Sequence, residues 1–257
     1  MSIPIVQLRL YAELAEWWPL FTAPEDYAYE TTFYTKIIKD ELGQNAKTVL
    51  ELGSGGGNSA SHLKKHFELT LVDLSENMLN VSRKLNPECE HFIGDMMDFR
   101  LNREFDVVYI QDAVAYINTE DDLRRTIETA YVHCRAGGIA LLIPDFTREN
   151  FKSTIVTGGH DRDQRGLRYM EWIWDPDPAD SQYLSDMVYM VKDEGGQVSC
   201  VYDRHILGLF SKDKWVELIK DVGFEVKMIP FDSKQDASGA TFLFVGYKPD
   251  SANSAIK

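Results

Sequence analysis

The chain has 257 residues, 44% hydrophobic and 26% charged, which suits one large soluble α/β domain or two small ones. Its 27 Lys and Arg against 41 Asp and Glu leave a net charge of −14. That balance counts against nucleic acid as a partner, because such binding neutralises phosphates with basic residues. No apolar run reaches membrane length, and the charged start carries no signal peptide; no membrane partner is expected. Cys89, Cys134 and Cys200 are odd in number and far apart, which fits a reducing, cytoplasmic setting without a disulfide framework.

Two aromatic-rich helices are expected first, one carrying Leu10, Leu14, Trp17 and Trp18, the other Tyr27, Tyr34, Ile38 and Leu42. Pro19 and Pro24 break the chain between them. Most of the aromatics there should be core, with one or two lining a ligand pocket. Lys47–Leu52 is a short apolar run that reads as a parallel strand covered on both faces. It enters Gly53-Ser54-Gly55-Gly56-Gly57, after which Asn58 is expected to cap a helix burying Ala60, Leu63 and Phe67. A strand, a glycine turn and a helix start form a nucleotide-binding geometry: glycine admits close approach, and free N–H groups face the ligand. A second strand, Leu69–Val72, ends at Asp73, and Ser75 caps a helix with Met78, Leu79 and Leu85. Glu90–Gly94 and Phe105–Gln111 are the third and fourth strands, the third leading into Asp95-Met96. Thr119 with Asp122 marks the start of a helix carrying Leu123, Ile127, Ala130, Tyr131 and Cys134. Gly138–Ile143 is the fifth strand. The alternation implies a parallel sheet with right-handed crossovers.

After Pro144 the period changes to two. Leu167–Trp174, Tyr183–Lys192 and Gln197–Leu207 alternate as antiparallel strands, with a hairpin turn at Glu194–Gln197. Ser211 then caps a helix with Trp215, Leu218, Ile219 and Val222, ended by Gly223. Phe224–Pro230 and Thr241–Tyr247 are the closing strands, joined by the polar loop DSKQDASG, and residues 249–257 read as a loose tail.

A dinucleotide fingerprint, G-x-G-x-x-G, fails here because its last position is Asn58. Glu51-Leu52-Gly53-Ser54-Gly55-Gly56-Gly57 instead resembles the E/D-x-G-x-G-x-G motif of class I S-adenosylmethionine-dependent methyltransferases. Asp73, 20 residues after Gly53, completes that signature. The order of elements is similar as well, down to the closing antiparallel hairpin. FDVVYIQDAVAYI, IPDFTRENF and DRHILGLFSKDKWVELIKDVGFEV resemble the small-molecule branch, which includes amino-sugar and glycine-type N-methyltransferases.

The resemblance implies an α/β, Rossmann-like fold: a seven-stranded, mostly parallel sheet with an antiparallel last strand, plus an antiparallel β lid inserted after strand five. It divides the chain into N-terminal helices over the cofactor site (1–44), a cofactor-binding domain (45–146 and 208–248), the lid (147–207) and the tail (249–257). S-adenosyl-L-methionine is the implied cofactor, S-adenosyl-L-homocysteine the product, and no metal is called for. Glu51 would order the loop, while Gly53, Ser54 and Gly55 would face the methionine part. Asp73 would take the ribose hydroxyls, with Leu74 against the adenine. Asp95 would take the adenine amino group, Met96 would flank the ring, and Met78 would join the site. Gln111 would sit near the methionine amino group, and Tyr11 over the cofactor. Gly56 stands where many members carry Thr, which should loosen the turn.

The acceptor is expected to be a small molecule methylated on N or O, by a monomer or homodimer. Candidate bases are Asp112 and Asp145, just past strands four and five where open α/β sheets bind ligands, and Glu171 and His205 in the insertion. Trp172 and Trp174 share a face with Met170, opposite Tyr169 and Glu171, and alternation alone leaves open which face covers the site. The lid aromatics, Tyr169, Trp172, Trp174, Tyr183 and Tyr189, should partly face the acceptor. His62 and His66 have metal-ligand spacing but no carboxylate in the motif, and read as a solvated face. Asp161–Gly166 begins like a calcium loop but places Trp172 where the bidentate Glu belongs. A cofactor-holding module without turnover and a nicotinamide oxidoreductase are the alternative functions.

Overall fold

A computed structural model describes residues 8–231 and 241–250. The loop DSKQDASG (232–239) and the tail beyond 250 lie outside the described residues. In chain order, α1 (Trp18–Phe21), α2 (Ala28–Leu42), β1 (Thr48–Leu52), α3 (Asn58–Leu63), β2 (Glu68–Asp73) and α4 (Glu76–Leu85) come first. They are followed by β3 (Glu90–Ile93), β4 (Phe105–Gln111), α5 (Glu120–His133) and β5 (Cys134–Ile143). Five further strands come next: β6 (Thr154–Gly158), β7 (Asp161–Arg162), β8 (Arg165–Trp174), β9 (Gln182–Lys192) and β10 (Val198–Gly208). The chain closes with α6 (Lys212–Val222), β11 (Glu225–Phe231) and β12 (Thr241–Tyr247).

The main sheet has the order β11-β12-β5-β4-β1-β2-β3, and β12 alone runs against its neighbours. Both faces are buried, which is why its strands lack alternation. Leu50 and Leu52 of β1 pack with α5 and α6 through Leu123, Ile127 and Trp215. Val49 points the other way, against Ile38 of α2 and Leu63 of α3. Ser75, Thr119 and Ser211 cap α4, α5 and α6 by accepting the N–H of Met78, Asp122 and Lys214. Gly223, at φ +117°, ends α6. Among the described residues no helix is long and apolar enough to cross a membrane.

Four local expectations differ. The segment before Trp18 is no continuous helix but a series of turns with one 3-10 turn at Ala15–Trp17. Its apolar residues serve another surface: Leu10 and Leu14 pack on Leu167, Met187 and Tyr189 of β8 and β9. Asn58 does not cap α3; Gly57 (φ +78°) takes that position, and the Asn58 amide donates to the Thr22 carbonyl at 3.3 Å. β5 begins at Cys134, four residues early, because a register shift opposite Phe105–Val107 absorbs the glycine pair. β6 and β7 have exposed residues and so present no alternation to read.

β6–β10 form a separate antiparallel sheet, order β10-β9-β8-β6, with β7 paired to β8. In β9 burial alternates strictly: Tyr183, Ser185, Met187, Tyr189 and Val191 face inward. Cross-strand registry puts Glu171 and Asp203 beside Met187, and His205 beside Ser185, on that inner face. Met170 and Trp172 are exposed on the outer face, where Trp172 stacks on Trp174.

This second sheet meets the main domain at Gly208, where a side chain has no room. A Cβ there would lie 2.0 Å from the Ile117 carbonyl oxygen, in the loop following β4. Gly208→Ala should therefore cost about 1–3 kcal/mol by overpacking, read as a lower midpoint in chemical denaturation. An unchanged midpoint would show that the two parts are not seated on each other there.

Candidate active site

The glycine loop is held in a conformation that side chains disfavour. Gly53, Gly55 and Gly57 have φ of +75°, +52° and +78°. The N–H groups of Gly53 and Ser54 donate to the Val72 carbonyl at 2.8 and 2.9 Å. The Gly55 N–H donates to Asp73 Oδ2 at 2.7 Å, and the Ser75 N–H to Asp73 Oδ1 at 2.8 Å. Asp73 thus fastens the loop to the start of α4. Burial pushes its pKa up, partly offset by those two N–H groups. Gly56 leaves room for another residue. The Trp18 indole occupies the space a side chain would fill, with Cδ1 and Nε1 at 2.2 and 2.4 Å from where a Cβ would stand.

A cavity of about 720 Å³ opens beside this loop. Its floor is the carboxyl ends of β1, β2, β4 and β5, its roof the inner face of the second sheet, and one wall the N-terminal segment through Tyr11, Trp18, Phe21 and Tyr27. Volumes of this order hold drug-sized ligands. Among the described residues, three buried polar atoms of side chains lining this end of the cavity have no protein partner: Glu51 Oε2, Ser54 Oγ and Trp18 Nε1. Buried polar groups are otherwise nearly always satisfied, so this end is built for a ligand bearing both charge and hydrogen-bonding groups. An amino-acid moiety has that character: its ammonium suits Glu51, its carboxylate the N–H and O–H donors. Burial, then Asp73, then Asp112 push the Glu51 carboxyl up to about 8, as expected of an acid awaiting a cation. Among the described residues no cluster of three or more His, Cys, Asp or Glu is arranged to hold a metal ion.

The far end is acidic and ringed by hydroxyls. Asp112 opens onto the cavity from a backbone at φ +54°, ψ −50°, a costly conformation for a non-glycine residue. Its enclosure by protein and the Asp145 carboxyl beside it, within hydrogen-bonding reach, push its pKa well above the ordinary value. Burial also raises Glu171, which accepts from Ser185 Oγ at 2.7 Å and stands close enough to His205 for an imidazolium there to lower it. His205, 2% exposed, meets Tyr116 Oη at 2.6 Å through Nδ1.

Of the residues singled out in the sequence, Tyr11, Glu51, Gly53, Ser54, Gly55, Asp73, Leu74, Asp95, Met96, Gln111, Asp112, Asp145, Glu171 and His205 all line this cavity. Met78 does not: its side chain is fully buried beneath the loop, near Gly55. Gln111 is anchored, its Oε1 accepting from Ser59 Oγ at 2.8 Å and its Nε2 donating to Glu30 at 2.9 Å. The lid aromatics fail as a group. Tyr169 packs on Phe21, Tyr183 on Phe146, and Tyr189 Oη turns to Met187, while Trp172 faces outward. The roof over the cavity is instead Glu171, Ser185, Met187 and His205. Trp18 and Tyr116 went unassigned in the sequence. For Trp18 the available signal was the missing Thr at Gly56; Tyr116 had none beyond its place after β4.

Two outcomes check these contacts. Gly56→Thr should destabilise by about 1–3 kcal/mol, and Trp18→Ala in the same chain should recover much of that loss, giving a coupling in a double-mutant cycle. Additive effects would show that the pair does not touch. The second concerns pH. The folded protein binds the Glu51 proton more tightly than the unfolded chain, so stability falls as pH rises from about 4.5 to about 8. Glu51→Gln removes that fall. The ligand-free variant should melt above wild type beyond pH 8 and converge with it near pH 4.

Residues 49–138 match the family model for a methyltransferase domain. A dTDP-3-amino-3,4,6-trideoxy-alpha-D-glucopyranose N,N-dimethyltransferase from Streptomyces venezuelae is 27% identical over 86% of this chain and 91% of its own. A dTDP-4-amino-2,3,4,6-tetradeoxy-D-glucose N,N-dimethyltransferase from Saccharopolyspora spinosa is 25% identical over 87% of each. The fold is shared with Streptomyces venezuelae DesVI, at a TM-score of 0.77 and 23% identity over 96% of this chain and 99% of that one. It is shared too with CalS10, an amino pentose methyltransferase from Micromonospora echinaspora solved with bound S-adenosylmethionine, at 0.74 and 19% over 86% and 91%. The domain match, the relatives aligned along most of the chain and the sheet with its reversed last strand agree: the chain carries a methyltransferase domain over residues 49–138, in a fold shared with S-adenosylmethionine-dependent amino-sugar methyltransferases.

Proposed function

We propose that this enzyme methylates the nitrogen of a primary or secondary amine on a small polar acceptor of the amino-sugar kind. The observation that carries the reading is the set of carboxyl groups lining the cavity: Asp112 and Asp145 beside each other, and Glu171 beside His205. Three carboxyl groups on one cavity favour a cationic ligand, and an ammonium beside them would draw them into the ionised form. A neutral hydroxyl acceptor gains no charge pairing from these groups. The named activities of the two relatives point the same way.

When bound, the cofactor supplies a methyl group activated by its sulfonium. The protein's part is to hold the partners in line in a site shut from water, which contributes about 7–11 kcal/mol. Glu51 would pair with the amino group of the methionine part, with Ser54 Oγ and Trp18 Nε1 toward its carboxylate and the Gly53 and Gly55 backbone lying close against it. Asp73 would take the ribose hydroxyls. Leu74, Asp95 and Met96 would serve the adenine, and Gln111 and Tyr11 the region of the sulfonium. Asp112, Asp145 and Glu171 would hold the acceptor ammonium, and His205 would receive its proton. Residues 147–207 would act as the lid, with residues 8–44 closing the side.

Two measurements test the reading. Asp73→Ala loses a charge-assisted contact and should weaken S-adenosylmethionine binding at least about tenfold by calorimetry, in a protein that stays folded. In turnover, the dTDP-3-amino sugar for which the Streptomyces venezuelae relative is named should gain one or two methyl groups by mass spectrometry, and its 3-hydroxyl counterpart none. Methylation of the hydroxyl sugar at a comparable rate would defeat the amine reading.

A further inference from the structure

Four side chains from three separate parts of the chain form one line of hydrogen bonds. Tyr11, in the N-terminal segment, meets Tyr116, in the loop after β4, oxygen to oxygen at 2.6 Å. Tyr116 meets His205 Nδ1 at 2.6 Å. His205 Nε2 stands 3.3 Å from Asp203 Oδ2, two residues back on β10. Asp203, buried at 5% exposure, also accepts the Leu10 N–H at 3.1 Å, which ties down the segment carrying Tyr11. The three rings pack tilted or edge-on, with centroids 5.7 to 6.0 Å apart. Tyr11, Tyr116 and His205 line the cavity; Asp203 does not.

The direction of every bond in this line follows from its inner end. A carboxylate only accepts, so His205 Nε2 carries the proton. Nδ1 is then bare and accepts from the Tyr116 hydroxyl. The Tyr116 oxygen accepts from Tyr11, and the Tyr11 oxygen is left with lone pairs for an N–H donor in the cavity. We propose that Tyr11, Tyr116 and His205 form a proton relay leading from the acceptor amine, with Asp203 as the positioning residue that sets its direction. This rests on the amine reading above.

The step balances. An N–H bond of the ammonium breaks and leaves its electron pair on nitrogen. That proton goes to the Tyr11 oxygen, the Tyr11 proton to Tyr116, and the Tyr116 proton to His205 Nδ1. Both phenols end neutral and His205 ends as imidazolium, beside Asp203 on its own strand and near Glu171 of β8. Ser185 of β9, opposite His205, carries no charge. Burial drives the pKa of both phenols well above the tyrosine value, so a route that never leaves a phenolate is the favourable one.

Nitrogen-15 NMR of histidine-labelled protein reads the direction without any acceptor. With the His205 signal assigned through its loss in His205→Asn, wild type should show Nε2–H and a bare Nδ1. Asp203→Asn, whose amide can donate as well as accept, should admit the other tautomer. Protonated Nδ1 in wild type overturns the relay. Turnover supplies the second arm, with the same dTDP-3-amino sugar. Tyr116→Phe should lower kcat about 10²-fold at pH 7, with S-adenosylmethionine affinity and melting temperature unchanged. The loss should recover once pH exceeds the pKa of the sugar amine, which then arrives without the proton. A loss that persists at high pH, or that tracks cofactor affinity, assigns these residues to structure alone and overturns the proposal. If wild type does not methylate this sugar, the choice of acceptor fails, while the tautomer measurement still decides the relay.

Discussion

The carboxylate of Asp73 is the constraint on which the site depends. Its two oxygens hold the Gly55 and Ser75 N–H groups, so one side chain fixes both the glycine loop and the start of α4. With the loop so placed, Trp18 can lie on Gly56, and the N-terminal segment becomes a wall of the cavity. The same segment reaches on to Asp203 through Leu10, so three distant stretches of chain enclose one space. The buried carboxyl of Glu51 sits beneath this arrangement, and its ionised form carries an electrostatic cost that a cationic ligand would relieve.

Where a residue's role depends on its own strand or turn, the sequence was enough to read it. The glycine spacing, Asp73, the helix caps at Ser75, Thr119 and Ser211, and the alternation that pairs His205 with Asp203 are all local properties. The sheet order and reversed β12 followed from the family resemblance. What could not be read depends on contacts between distant segments. Nothing near Trp18 shows that its indole meets Gly56, and the aromatic spacing before it imitated a helix while serving the second sheet. Trp172 and Trp174 are dense in a strand, yet strand alternation is symmetric, and only the docking of the sheet decides that Glu171 turns inward. Tyr116 is a partner of His205 only because β10 returns past the loop after β4.

The two ends of the cavity use burial in opposite ways. At the glycine loop, unpartnered atoms leave room for a ligand that completes them. At the far end, Asp112, Asp145, Glu171 and His205 already touch neighbouring groups, so a ligand there must compete with an existing network. The first arrangement suits tight holding of one constant molecule, and the second suits discrimination among acceptors by charge and proton content.

The insertion between β5 and α6 also governs how the chain can assemble. β5 waits for β12, its neighbour in the sheet, until the whole second sheet, α6 and β11 have been made, since Leu142 pairs with Phe244. Loop closure over so long a stretch is slow, and sheets built from distant pairings fold late. Until then β5, apolar through Ala140, Leu141 and Leu142, presents an open edge. During synthesis on the ribosome that edge is available to other chains, which makes the interval between β5 and β12 the stage most exposed to misassembly.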